Sequence, residues 1–306
     1  MHIGLERPAV PPYPTPDIDA AAIAVEGEKL GFESLYYGEH PIRPVDQPGL
    51  SVHGDGVPFF QDTLVGISRA SAATTRMTVG GSVFLIPQHN PVQFAKELAC
   101  LDYYSKGRLV VGAGIGWSKI ECEVMGGRWY RRWAQTRETV MLMKRLWTEE
   151  TVEHHGPIYD IPPVQLYPKP ATPGGPPVLL GGSDAAQPHK LFRRIVDYAD
   201  GWMPAFYLNE NQQAGPDVLA AGRILLHQMC TEAGRDPSAM RIDVIIRGLN
   251  RQAADGGDDA GFEGLDKTLL RRYEDAGADR VLVTIPTLHD ESDIRPTLEQ
   301  LAERVL

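Results

Sequence analysis

Residues 108–121, RLVVGAGIGWSKIE, decide the fold that this sequence predicts. The stretch begins with a short apolar run, LVV, which is typical of a buried β-strand. The run leads into three glycines at alternate positions, which are Gly112, Gly114 and Gly116. Glycines at a strand end keep side chains away from the backbone, so a flat or bulky group could lie against it. Trp117 and Glu121 follow, where a loop could carry them over that end of the strand.

The glycines do not complete a dinucleotide-binding fingerprint. That pattern, G-x-G-x-x-G, requires a third glycine at the position that Trp117 occupies. A turn that simply ends a strand is the structural alternative. A functional interpretation of the stretch therefore depends on the sequence around it.

Outward from this strand, short apolar runs alternate with helical patterns along the chain. The predicted strands cover residues 2–5, 33–37, 77–85, 109–111, 178–180, 201–203, 241–247 and 280–285. The predicted helices cover residues 17–30, 61–74, 90–104, 130–147, 185–196, 209–232 and 264–276, with a last one from 293. Such alternation indicates parallel strands joined by right-handed crossovers. Eight units in 306 residues predict an α/β fold, a (β/α)8 TIM barrel, as a single domain over residues 1–306.

Two segments interrupt the alternation. Residues 151–177 are rich in proline and predict a surface insertion before strand five, with a small hairpin. The stretch 41–60 is rich in proline and glycine and predicts a long loop, of the kind that often covers a binding site. Thr15 and Pro16 are the predicted cap and first position of the first helix.

Composition narrows the class of protein. The formal net charge of −10 argues against a nucleic-acid partner, because such a surface needs clustered Lys and Arg. No apolar run approaches the ~18 residues of a membrane span, and we expect neither a membrane segment nor a signal peptide. The three cysteines are isolated, which fits a reducing cytoplasm without disulfides or a thiolate zinc site.

In a TIM barrel the catalytic groups lie at the carboxyl ends of the strands. Glu39 and His40 follow the second strand, where a histidine can exchange a proton near neutral pH. A histidine that only donates to a loop carbonyl is the structural alternative. Ser82 and Val83 lie in an apolar strand behind two glycines, which suggests a bulge or a close ligand, with ordinary barrel packing as the alternative.

Gly181, Gly182 and Ser183 end the fifth strand just before a helix. Free backbone N–H groups at a helix amino end favour a phosphate. A glycine turn in which Ser183 is a plain N-cap is the alternative.

His154 and His155 are adjacent, and we predict no metal site from them. Neighbouring residues on an extended segment point in opposite directions, and no pattern of carboxylates joins these two. We interpret them as part of a solvated loop.

Three segments together resemble the bacterial luciferase-like monooxygenase and F420-dependent oxidoreductase superfamily. They are AVEGEKLGFESLYYGEH, then ATTRMTVGGSVFLIPQHNPVQFAKELACLDYYSKGRLVVGAGIGWSKIE, then PPVLLGGSDAAQPHKLFRRIVDYADGWMP. They span nearly the whole chain in the family's order and spacing. The resemblance implies a TIM barrel that binds a flavin or deazaflavin at its carboxyl-terminal mouth.

The resemblance also implies roles for particular residues. Strand three would carry a bulge at Ser82–Val83, often with a non-prolyl cis peptide, behind the tricyclic ring. The backbone from Gly112 to Gly116, including Gly114, would border the ring. Gly181, Gly182 and Ser183 match the family's phosphate-binding turn. Glu39–His40 match its acidic–histidine pair, whose histidine is a usual active-site residue, so both are assigned to the catalytic site.

One position departs from the family's sugar-phosphate dehydrogenase branch, which has an acidic proton donor where this chain has Trp117. A sugar phosphate is therefore disfavoured as substrate, Trp117 is assigned to an apolar substrate pocket, and the proton donor stays open. Glu121 is one candidate for it, and holding the loop is its alternative role.

The resemblance favours coenzyme F420 as cofactor, because the compact chain and its GRLVVGAGIGW segment resemble the F420-dependent branch. We therefore expect an F420-dependent oxidoreductase that moves a hydride to or from a small organic molecule. An FMN-dependent two-component monooxygenase, which needs a flavin reductase, is the alternative. A non-catalytic flavin- or deazaflavin-binding barrel is the third. Barrels of this family often form homodimers.

Overall fold

The computed structural model describes residues 1–7, 18–42, 44, 61–182, 188–208, 214–248, 264–286 and 288–306. Ser183, the Thr15–Pro16 cap and nearly all of the predicted loop at 41–60 lie outside these residues.

Strands and helices alternate as the sequence predicts. The strands are β1 His2–Arg7, β2 Ser34–Tyr37, β3 Thr78–Leu85, β4 Leu109–Gly114, β5 Val152–His155, β6 Asp160–Val164, β7 Val178–Gly181, β8 Gly201–Met203, β9 Ala205–Leu208, β10 Arg241–Gly248 and β11 Arg280–Thr284. The helices are α1 Ala20–Leu30, α2 Thr63–Ala73, α3 Pro91–Ser105, α4 Lys119–Val124, α5 Arg132–Thr148, α6 Pro188–Tyr198, α7 Ala214–Glu232, α8 Lys267–Asp275 and α9 Ile294–Val305.

The main sheet closes into a barrel of parallel strands. Its order is β11-β1-β2-β3-β4-β7-β8-β10, and β10 pairs with β11 to complete the circle. Two of the described strands share one position in this circle, because β8 and β9 pair with successive parts of β10. The predicted (β/α)8 TIM barrel is therefore confirmed.

Strand β9 was not predicted from the sequence. Pro204 separates it from β8, and a proline has no N–H for the ladder, so the pattern indicates the end of a strand there. In the barrel the Pro204 carbonyl still accepts from the Ile245 N–H at 2.8 Å, and the chain continues along β10.

Side chains alternate between the inside of the barrel and the helix-covered outside. The outward side chains join the large core beneath the helices. The inward ones form a separate small cluster of Tyr36, Val110, Leu179, Met203, Ile245 and Leu282. The barrel interior is thus packed, and the space for a ligand lies at an end.

The amino end of the barrel is closed by charged side chains. The buried Asp243 carboxylate accepts from Tyr36 at 3.0 Å, from Arg280 at 3.2 Å and from Arg241 at 2.7 Å. Burial, with the nearby Asp243 charge, raises the pKa of the Tyr36 hydroxyl well above its usual value. Most of these polar atoms hydrogen-bond to one another, although Nε of Arg280 has no partner among the described residues.

The predicted hairpin is present in the proline-rich segment, where β5 and β6 pair antiparallel apart from the barrel. The interpretation of His154 and His155 as a solvated loop is wrong, because both lie on β5. Each also has carboxylate partners: His154 contacts Glu138 of α5 at 3.0 Å, and the His155 imidazole lies between Glu153 and Asp160. Glu138 is distant in the sequence, and Asp160 meets His155 only because the two strands of the hairpin pair there.

Several helices begin later than predicted, among them α2 at Thr63 rather than 61 and α8 at Lys267 rather than 264. Helix α1 begins at Ala20, after its N-cap Asp19 accepts from the Ala21 N–H. A single 3-10 turn at Trp129–Arg131 precedes α5, which begins at Arg132. The predicted starts at 17 and 130 are therefore three and two residues too early.

Candidate active site at the carboxyl ends of the strands

The predicted site residues that the structure describes lie at one end of the barrel. His40 follows β2, the Ser82–Val83 peptide lies near the end of β3, Gly114 ends β4 and Gly181 ends β7. Since these strands are neighbours and parallel, their carboxyl ends form a common mouth. The topology alone therefore groups the predicted residues around one place.

His40 is held by Glu121. Its Nδ1 atom lies 3.1 Å from each oxygen of the Glu121 carboxylate. Glu121 has 0% of its side chain exposed, whereas His40 keeps 19%. A buried carboxylate needs a charged or hydrogen-bonding partner, and the imidazole is that partner here.

Trp117 covers the imidazole from the same segment that supplies Glu121. The two ring centroids are 5.1 Å apart and the rings are tilted by 55°. Trp117 remains 49% exposed, so its indole presents an apolar face at the mouth. Its predicted place in a substrate pocket stays a prediction that this position favours.

The expected bulge is present in β3. Pairing with β4 shifts between Gly81 and Phe84, and the Ser82–Val83 peptide is cis and non-prolyl. Ser82 is buried, while the side chain of Val83 is half-buried. The bulge thus presents Val83 at the mouth.

Glu39 anchors the strand that carries the bulge. Its carboxylate accepts from the Leu85 N–H, and it lies 3.0 Å from Nε2 of His89. The His89 ring stacks on Phe94, with centroids 4.0 Å apart. These contacts favour a positioning role for Glu39, and the catalytic role predicted for it stays a prediction.

The glycines of β4 and β7 make room for the protein's own bulge. A Cβ atom on Gly114 would stand 2.4 Å from Cγ2 of Val83, and one on Gly181 would stand 2.8 Å from its Cγ1. A Cβ on Gly112 would meet the Gly81 carbonyl oxygen at 2.2 Å and the Met203 sulfur at 2.7 Å.

Val83, rather than bare backbone, therefore fills much of the space that the glycines leave. A contact of Gly112, Gly114 or Gly181 with a cofactor stays a prediction. Gly182 follows β7 with a left-handed φ of 146°, and its carbonyl accepts from Trp202 Nε1 at 2.8 Å. Its predicted partner in a phosphate turn, Ser183, lies outside the described residues.

A buried ion pair at the mouth was missed from the sequence. Glu6 at the end of β1 accepts from Arg247 of β10 at 2.7 Å, from Thr284 at 2.8 Å and from Ser82 at 3.3 Å. Arg247 also donates to the Ser82 carbonyl at 3.3 Å. The negative charge of Glu6, followed by hydrogen bonds, raises the pKa of the Arg247 guanidinium.

This network ties the bulge to the opposite wall of the barrel. A sequence signal for it does exist, because β1 and β10 each carry a charged residue near their carboxyl end. The two strands flank β11 in the closed barrel, which brings these charges together.

No group of three or more His, Cys, Asp or Glu side chains that could hold a metal ion occurs within the described ranges. In the same part of the chain, no helix is long and apolar enough to cross a membrane.

Comparison with known proteins matches the chain to one family. The family model for luciferase-like monooxygenases matches residues 7–261. An uncharacterised protein of Mycobacterium tuberculosis is 35% identical over 193 residues, which are 61% of this chain and 67% of that protein. An F420-dependent glucose-6-phosphate dehydrogenase of Kribbella flavida is 32% identical over 171 residues, which are 54% of this chain and 48% of that enzyme.

Solved structures share the fold at lower identity. An F420-dependent secondary alcohol dehydrogenase, in complex with an F420–acetone adduct, has a TM-score of 0.73 at 19% identity, over 99% of this chain and 98% of that one. A monooxygenase from Streptomyces bottropensis has a TM-score of 0.72 at 18% identity, with the same coverage. Both F420-dependent enzymes and monooxygenases thus share this barrel.

Proposed function

This chain belongs to the luciferase-like monooxygenase family of oxidoreductases, and we propose that it is an F420-dependent oxidoreductase acting on a small organic substrate. Bound F420 would supply the hydride donor or acceptor. The observation that carries the proposal is the juxtaposition, at one mouth, of the Val83 bulge with the His40–Glu121 pair. The bulge offers a wall for a planar ring, and the pair offers a group that can exchange a proton.

The residues of the mouth fit such a group. Val83 presents a half-buried aliphatic surface, held in place by the Arg247 bond to the Ser82 carbonyl. Gln88, buried beside Gly116 at the same end, has an amide with no hydrogen-bond partner among the described residues. Buried amides are normally satisfied, so the polar edge of a ring would complete this one.

His40 would exchange the proton that accompanies hydride transfer. Because Nδ1 faces Glu121, we assign this exchange to Nε2 of the imidazole. General acid–base catalysis of this kind contributes a rate factor of about 10² to 10⁴. Trp117 would exclude water from the acceptor carbon and favour an apolar substrate, since its indole carries no charge.

Relatives support F420 over FMN. The Kribbella flavida relative bears F420 dependence in its name, and so does the secondary alcohol dehydrogenase whose fold is shared. The shared fold of a monooxygenase favours the second candidate, an FMN-dependent monooxygenase with a flavin reductase as partner.

Fluorescence titration of the purified protein with F420, and separately with FMN, tests the proposal. We expect micromolar binding of F420 and binding of FMN that is at least ~10-fold weaker, or ~1.4 kcal/mol. The opposite preference would overturn it and favour the monooxygenase, which oxygen consumption in the presence of a flavin reductase would then measure. Riboflavin serves as a control, since it lacks the phosphate that Gly181 and Gly182 are expected to bind.

Binding alone does not distinguish an enzyme from a cofactor carrier. A screen of secondary alcohols with F420, and of carbonyl compounds with F420H2, follows absorbance of the deazaflavin. Tight F420 binding without turnover of any compound would favour the non-catalytic barrel.

A further inference from the structure

We infer that Glu121 is the positioning residue of His40: its carboxylate fixes the imidazole as the tautomer with hydrogen on Nδ1 and so assigns proton exchange to Nε2. This inference rests on the proposed function for its catalytic consequence, but not for its structural content. It differs from both roles that the sequence leaves open for Glu121, which are donating the proton and holding the loop.

Burial shows that Glu121 acts through His40. With none of its side chain exposed, the carboxylate has no surface with which to contact a ligand. His40 lies between it and the mouth with 19% of its side chain exposed. A carboxylate in this position orients an imidazole and fixes its tautomer, as the aspartate does in a serine-protease triad.

Local structure holds the carboxylate in place. Glu121 lies in the first turn of α4, where the N-cap Ser118 accepts from the Glu121 N–H at 3.3 Å. The same turn carries Trp117 just before it, and that indole packs against the imidazole. One short segment, 117–121, therefore controls both the hydrogen bond and the ring orientation of His40.

A second histidine–carboxylate pair near the mouth shows why this one is distinctive. His89 pairs with Glu39, but the Glu39 carboxylate also accepts from the Leu85 N–H, and the His89 ring is stacked on Phe94. That pair is tied to backbone and core. Both pairs place two carboxylate oxygens about equally far from one imidazole nitrogen. The Glu121 carboxylate, in contrast to that of Glu39, has His40 as its one hydrogen-bond partner among the described residues.

Nitrogen-15 NMR of histidine-labelled protein tests the inference without a cofactor or substrate. The His40 signals are assigned by their loss in His40→Asn. In the wild type we expect His40 to show a proton on Nδ1, and in Glu121→Met, which keeps length but removes the acceptor, we expect that population to fall by at least ~5-fold. The same Nδ1–H population in Glu121→Met would overturn the inference.

Two further variants keep the test decisive. Glu121→Gln retains an acceptor oxygen without charge, so the Nδ1 proton should move to higher field as its charge-assisted bond becomes neutral. An unmoved signal in this variant would also contradict the inference. Glu123→Gln is the matched control on the same helix, because Glu123 is exposed and pairs only with Lys119 at 3.6 Å among the described residues. Its His40 signals should equal those of the wild type.

A double-mutant cycle tests the catalytic consequence on a substrate found by the screen. Glu121→Met should lower kcat by about 10-fold or more with KM nearly unchanged, and in the His40→Asn background it should lower kcat by less than about 2-fold. Full, additive losses in that background would show that Glu121 acts independently of His40. Failure of F420 to bind would refute the proposed function and leave the NMR result standing.

Discussion

The two ends of the barrel both carry buried ion pairs, and they use them differently. At the amino end, Asp243 accepts from two arginines and a tyrosine hydroxyl, so the charged side chains there bind mainly one another. At the mouth, Glu6 pairs with Arg247, and the guanidinium also binds the Ser82 carbonyl of the bulge. Buried ion pairs thus close the amino end with side chains, whereas at the mouth a buried ion pair holds the backbone of the bulge.

The filling of the two ends differs as well. Near the amino end the interior is occupied by large side chains such as Tyr36. At the mouth, the glycines of β4 and β7 leave room for the bulge of β3. The side chains of Val83 and His40 are half-buried there. We therefore expect substitutions at the amino end to lower the free energy of unfolding, and substitutions at the mouth to impair cofactor binding or turnover.

The largest effect should come from Asp243→Ala. It removes the anion that Arg241 and Arg280 share, and breaking a buried ion pair in this way destabilises by about 3–5 kcal/mol. Urea denaturation measures the loss, and the F420 dissociation constant of the folded variant should match that of the wild type. The control is Asp197→Ala, whose carboxylate pairs with Arg137 at the surface and should matter by about 0–1 kcal/mol. Equal losses in the two variants would show that the amino end is not a sealed network.

At the mouth, His40→Ala should lower turnover by ~10²-fold or more, which is about 2.7 kcal/mol in activation free energy. The affinity for F420 should change by less than about 3-fold, because the bulge is intact. Steady-state rates and a titration measure the two quantities. His155→Ala, on the distant hairpin, is the matched control, and unchanged turnover in His40→Ala would refute the role of His40.

Gly114→Ala tests whether F420 binding at the mouth depends on the packing of Val83 against Gly114. The added methyl group would stand 2.4 Å from Val83 Cγ2, and such overpacking typically destabilises by about 1–3 kcal/mol. The displaced bulge should also weaken F420 binding. The double variant Gly114→Ala/Val83→Ala removes the clash, so its unfolding free energy should recover toward that of Val83→Ala alone. Additive losses would mean that the glycine is required for another reason.

The sequence predicted this architecture better than it predicted the mouth. Periodicity within each segment placed the strands, and β8 matched its predicted bounds, because each strand buries a continuous apolar run. The helix predicted from residue 90 begins there with Asn90 as the cap of α3, whose side chain accepts from the backbone two and three residues on. These features are local in the chain.

The contacts that build the site are not local. Glu6 and Arg247 are 241 positions apart, and His40 and Glu121 are 81 apart, so their pairing depends on closure of the barrel. The glycines of β4 were interpreted as open backbone because their neighbour Val83 belongs to another strand. The resemblance to a family predicted the bulge that local patterns only suggested.

The smallest effect is expected for Tyr36→Phe. Its pH dependence tests whether the amino end is closed to water. Burial raises the pKa of Tyr36 well above the value of about 10 that it has in an unfolded chain. The folded-state pKa is therefore higher than the unfolded one. The stabilisation from the neutral hydroxyl is fully present below about pH 10 and is lost as the pH rises from there toward the folded-state pKa.

Tyr36→Phe lacks this hydroxyl and should be less stable than the wild type by about 1 kcal/mol at pH 8, because Asp243 and Arg280 each lose a hydrogen bond. Above about pH 10 the difference should shrink by up to ~1.4 kcal/mol per pH unit, since only the wild type loses the contribution. Urea denaturation at pH 8, 10 and 11 measures it, with Tyr130→Phe, whose ring is 89% exposed, as the control. A difference that stays constant with pH would mean that the Tyr36 hydroxyl is in contact with water, and that the amino end is as open as the mouth.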